Sequence, residues 1–173
     1  MKKLLTPIIV TMFSFLVACS ALGRENSPYL TPELTWDSDI SEIESVYGTE
    51  TESYETEENG KGYQYKYTYD GLDGNLNFVF DENGQLYKVS FQSVIDSEDD
   101  YDSICKKWSE EFSNKYGQPH FENESGTLWI ANDEAISLLH AELVTDLFTY
   151  RTLGIICNKA PEDGFQIDSL ENF

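Results

Sequence analysis

The chain has 173 residues, with 32 acidic against 11 basic side chains and a formal net charge of −21. That excess repels phosphate backbones and anionic headgroups, which excludes nucleic-acid or membrane binding through a broad basic patch. With 40% apolar and 14% aromatic residues it is too rich in core-forming side chains for a disordered tail, and its length suits a single domain.

Lys2 and Lys3 precede an apolar run from Leu4 to Val17, fourteen residues with Pro7 inside it. A helix rises about 1.5 Å per residue and needs roughly 20 apolar residues to span hydrocarbon, so the run reads as a cleaved export signal. Its end, Leu16, Val17, Ala18 and Cys19, resembles the lipobox of bacterial lipoproteins. The resemblance covers residues 1–20. It implies cleavage before Cys19, a thioether-linked diacylglycerol on that sulfur, and anchorage on the non-cytoplasmic side of the plasma or outer membrane. Each buried CH₂ contributes about 0.8 kcal/mol, so two or three acyl chains make a stable anchor. Losing residues 1–18 removes Lys2 and Lys3, leaving 9 basic against 32 acidic side chains, a net −23.

From Cys19 to residue 34, Gly23, Pro28 and Pro32 with few apolar anchors read as a lipidated N-terminus and tether, and the folded domain is expected over 35–159. Asp39 with Glu42 has capping-box spacing, Ile40, Ile43, Val46 and Tyr47 share a helical face, and Gly48 supplies a stop. Residues 49–61 are acidic and read as a solvated loop. Tyr63, Tyr65, Tyr67 and Tyr69 then alternate with polar residues, the period of a strand. Leu76, Phe78 and Phe80 continue the pattern after a turn over 70–74. Tyr87, Val89 and Phe91 follow a second turn at Asp81 to Gly84. The result is an antiparallel meander, apolar on one face and wet on the face bearing Lys66, Asn75, Asn77, Lys88 and Gln92.

A second helix follows, capped by Ser97 and closed by Gly117 and Pro119. Tyr101, Ile104, Cys105, Trp108, Phe112 and Tyr116 lie on its apolar face. Residues 127–131, 134–141 and 147–153 read as three more strands, the last running on towards Cys157, and 160–173 as an acidic tail. The order is helix, three strands, helix, three strands, and Ile43 to Gly48 is echoed by Phe112 to Gly117. A duplicated unit is expected, giving an α+β fold in which helices cover one face of an antiparallel sheet. That order is similar to the helix-plus-sheet repeats of the β-lactamase inhibitor protein family and, more loosely, to small outer-membrane assembly lipoproteins. No functional residue of either is carried over.

With Cys19 lipidated, Cys105 and Cys157 remain. An exported compartment permits a bridge between them, which would close a loop of about 50 residues and contribute roughly 4 kcal/mol. The alternative is two free core cysteines. His120 and His140 stand in no catalytic motif, the acids 96, 98, 100 and 102 lack the spacing of a calcium loop and suit a helix start, and neither cofactor nor metal is expected. The tyrosine stripe is read as core beneath the second helix, with Tyr54, Tyr63 and Tyr65 the first choices for a partner surface where it outruns that helix. The expected function is non-enzymatic: a lipid-anchored cell-envelope domain that binds another envelope or extracellular protein. The alternatives are an assembly component of an envelope complex and, further off, a hydrolase without a recognisable motif.

Overall fold

Asp39 accepts the backbone N–H groups of Ser41 and Glu42 at 2.8 and 3.0 Å, which opens the first helix, and Gly48 at φ +82° ends it. The computed structural model describes residues 26–57, 59–131, 134–145 and 149–161. The expected signal peptide, the lipidation residue Cys19 and the acidic tail from Glu162 lie outside them. The elements are α1 (Ile40–Tyr47), β1 (Glu52–Glu55), β2 (Lys61–Tyr69), β3 (Leu72–Phe80), β4 (Leu86–Ile95), α2 (Glu98–Tyr116), β5 (Phe121–Asn123), β6 (Gly126–Ile130), β7 (Glu134–Val144) and β8 (Thr149–Lys159). All eight strands form one antiparallel sheet in the order β1-β2-β3-β4-β8-β7-β6-β5. The architecture is α+β, dominated by its sheet.

Register assigns each side chain to a face. Tyr65, Leu76, Phe91, Ile155 and Leu138 stand in one cross-strand row, and Tyr63, Phe78, Val89, Cys157, Ile136 and Trp129 in the next. Both helices pack on this face. Tyr47 of α1 meets Tyr65, Tyr67 and Phe78 with ring centroids 5.9, 5.7 and 5.3 Å apart. On α2, Trp108 meets Tyr69 at 5.5 Å and Phe112 meets Trp129 at 5.3 Å. Ile43, Trp108 and Phe112 are fully buried, whereas Val46, expected on the apolar face of α1, is 47% exposed.

Four expectations about boundaries are corrected. The tether does not run to residue 34, because Leu30, Leu34 and Trp36 are core residues and Tyr29 stacks edge-on against Phe112 at 5.0 Å. Burying such side chains contributes about 1.5–3 kcal/mol each, enough to hold the segment despite its prolines. The acidic stretch 49–61 is not wholly loop, since Glu52–Glu55 pairs with Lys61–Gln64 as the edge strand β1. The β2–β3 turn occupies only Asp70 and Gly71, both at positive φ (+52° and +84°), as a tight hairpin requires, so Leu72 to Gly74 belong to the strand. Each half of the sheet also has a fourth short strand, β1 or β5, where three were expected per helix.

The two halves share further geometry. Exchanging β1–β4 with β5–β8 leaves the strand order unchanged, with β4 and β8 paired at the centre. Both helices end in Tyr-Gly, the glycines at φ +82° and +86° and ψ −152° and −154°, each N–H returning to the carbonyl four residues back.

Candidate binding face

Three polar contacts tie hairpins and termini to the helix-covered side. The carboxylate of Asp70 pairs with Lys107 and accepts the indole N–H of Trp108 at 2.9 Å. Lys107 first, then the indole, holds the Asp70 carboxyl below its ordinary range. Glu134, 4% exposed, accepts the Tyr116 hydroxyl at 2.5 Å and the Tyr29 N–H at 3.2 Å. Burial and then that carboxylate push the Tyr116 phenol strongly up. Arg151, 8% exposed, donates to Glu98 at 3.0 Å and Glu142 at 3.2 Å, joining the start of α2 to β7. These groups tie the fold together, and Glu142 among them also borders a trough.

The opposite face of the sheet is touched by neither helix. Its rows read Lys66, Asn75, Gln92, Gly154, Leu139 and Gly126, then Gln64, Asn77, Ser90, Ile156, Ser137 and Leu128, as alternation from the core rows requires. Lys66 donates to Asn75 Oδ1 at 2.7 Å and Thr68 to Asp73 at 2.5 Å, which orders that corner. Two adjoining troughs cross it. One, of about 700 Å³, is bounded by Lys66, Asp73, Asn75, Gln92, Val94 and Tyr150; the other, of about 750 Å³, by Gln92, Leu139, Ala141, Thr152, Gly154 and Ile156. Gly154 lies between Gln92 and Leu139 in register and, lacking a Cβ, deepens the floor.

Exposed apolar residues concentrate here. Of the seven large ones exposed among the described residues, Tyr54, Val94, Leu139, Leu143 and Tyr150 lie on this face by register. Charge is distributed in the opposite sense. The face of β2–β4 and β6–β8 carries a single carboxylate, Asp73, beside Lys66 and Lys88, in a chain with 32 acids.

Of the residues chosen from sequence for a partner surface, only Tyr54 is exposed, at 39%, and its ring covers Gly62 across the β1–β2 pair. Tyr65 is corrected to a core residue at 2% exposure, and Tyr63 is half-buried, edge-on to Phe80 at 5.7 Å. The stripe does not outrun its cover, because Tyr47 of α1 closes the end that α2 leaves open. Of the two readings of Cys105 and Cys157, a bridge or two free thiols, the structure has the second, with Cys157 buried and Cys105 half-buried. Cys157 lies beneath Tyr29 and Leu30, and its row is capped by Phe112 through Trp129. Cys105 lies two turns earlier in α2, about 10 Å from Phe112 along the helix axis. Burial raises both thiols, that of Cys105 to about 11, so neither is a ready nucleophile near neutral pH.

His120 is exposed in the loop after α2, its N–H bonded to Leu128 O, and His140 is half-buried on β7, its N–H bonded to Ser125 O. His140 shares the lining of the Gly154 trough with Glu124, Ser125 and Glu142, whereas His120 does not line it. Among the described residues no group of three or more His, Cys, Asp or Glu side chains could hold a metal ion, and no helix is long and apolar enough to cross a membrane. Sequence reasoning missed Val94, Leu139, Leu143 and Tyr150. The available signal was that β7 and β8 carry large apolar residues on both alternating phases. No protein-family model matches the chain, and comparison with curated proteins and with solved structures finds no match.

Proposed function

We propose that this chain is a lipid-anchored, non-catalytic binding domain of the cell envelope, which engages another protein through the uncovered sheet face. The observation that carries the binding reading is the gathering of four exposed apolar side chains, Val94, Leu139, Leu143 and Tyr150, on the adjoining strands β4, β8 and β7 of one ordered, carboxylate-poor face. Contiguous apolar surface of this kind on a soluble domain marks a contact site. Thiols raised by burial favour binding over thiol-based hydrolysis. The lipobox resemblance at Leu16 to Cys19 carries the anchoring. The symmetric strand order and matching Tyr-Gly helix ends support the origin of both halves as copies of one helix-plus-strands unit.

Two variants test the parts separately. Cys19→Ala should move the protein from the membrane to the soluble fraction while leaving partner recovery in detergent intact. Leu143→Asp combined with Tyr150→Asp should abolish partner recovery while leaving fractionation unchanged. If Cys19→Ala stays in the membrane fraction the anchoring fails; if the double variant retains every partner the face is wrong.

A further inference from the structure

Resting on that reading, we infer that the uncovered face docks a protein of net positive charge, inserting an uncharged, apolar segment into the trough floored by Gly154. Two features of the charge distribution lead there. The contact face is nearly neutral, with Lys66, Lys88 and Asp73 its charged residues on β2–β4 and β6–β8, so a partner patch meeting it gains little from charge and much from burying Leu139, Leu143 and Tyr150. The molecule as a whole is strongly anionic, net −21, and acids stand at the margins of the grooves: Glu124 and Glu142, the latter paired with Arg151, beside the Gly154 trough, and Glu57 at a third groove near Tyr54. Basic side chains surrounding an apolar patch complement that pattern, and the long-range field speeds their approach.

The same field argues against the other occupants. A second copy would bring two bodies of −21 face to face, and an anionic bilayer would be repelled by the acidic margins. The trough itself is suited to an inserted loop or helix edge. A Cβ built on Gly154 would meet only Phe91 O at 3.6 Å and Leu139 Cβ at 3.9 Å, ordinary van der Waals contacts, so the floor accepts a side chain without a clash. A larger residue there should therefore fill the docking site without disturbing the sheet beneath.

The test uses the full-length, membrane-extracted chain with a photo-crosslinking phenylalanine analogue at position 143, and at position 107 on the helix side as control. The expected adduct at 143, absent at 107, is a protein of net positive charge. Its purified form should associate with the chain at a rate that drops about tenfold or more between roughly 0.05 and 0.5 M salt. Gly154→Thr, with unchanged circular dichroism and melting, should weaken that complex at least about tenfold. An adduct with an acidic protein, a lipid or a second copy overturns the inference while leaving the face as a contact surface, as does association indifferent to salt or to Gly154→Thr. No adduct at 143 overturns the docking reading as well.

Discussion

Asp70 sits in the left-handed region at φ +52°, a conformation that costs an L-residue energy unless its side chain is held, and here Lys107 and the Trp108 indole hold it. A carboxyl lowered on folding stabilises the native state above its unfolded value near pH 4. That contribution is lost as pH falls through the folded value. Asp70→Asn should therefore destabilise by about 1 kcal/mol or less at pH 7 and leave the variant and the parent nearly equal at pH 2–3, measured by urea melts across that range. Tyr116 behaves with the opposite sign. Its phenol is raised, so its stabilisation is intact below about pH 10 and is lost at higher pH as the unfolded state ionises first. Glu134→Ala would orphan the Tyr116 hydroxyl and the Tyr29 N–H together. A loss of about 2–4 kcal/mol is expected by denaturant titration.

At the level of elements, the two helices were legible because their caps and faces agree: Ser97 accepts the Asp100 N–H at 3.3 Å, and Trp108 and Phe112 are buried at the spacing the pattern implies. Ser97→Ala should lower stability by about 1 kcal/mol, a shift of roughly 2–6 °C in the melting midpoint. The tyrosine strand was equally readable, since its period of two is unbroken from Tyr63 to Tyr69. Short edge strands were not. Glu52–Glu55 is four exposed residues, two of them acids, and its pairing depends on Tyr54 lying over Gly62, a contact between positions eight apart that no local pattern reports. Tyr54→Ala should uncover Gly62 and speed amide exchange in β1 relative to β2. The N-terminal segment hid for a similar reason: Leu30, Leu34 and Trp36 are buried without any periodicity, against a surface assembled from both helices and the centre of the sheet. The uncovered face escaped because alternation predicts which side chains point outward but not that apolar ones gather there across β4, β7 and β8.

Over the whole molecule, a net charge of −21 opposes the compact state through self-repulsion that salt screens. Melting temperature should rise by several degrees between about 10 and 200 mM sodium chloride and then level off as the Debye length shrinks below the spacing of surface charges. Calorimetry in matched buffers would show this, and a flat or falling profile would mean that local ion pairs such as Arg151 with Glu98 outweigh the global repulsion. Both outer edges of the sheet are short, four residues in β1 and three in β5, and charged enough to discourage pairing with other chains. Association is thereby steered from strand edges to the broad face.

Asn26, whose carbonyl accepts the Trp36 N–H, already belongs to the fold, which bounds how far the domain could lie from a lipid on Cys19. If Cys19 is acylated as proposed, the six residues between it and Asn26 set at most about 25 Å between them. The described chain starts three residues before Tyr29, which packs in the helix layer on the side away from the Gly154 trough. On that proposal, a receptor more than a few nanometres from the bilayer would have to come to this protein, because it could not be reached for.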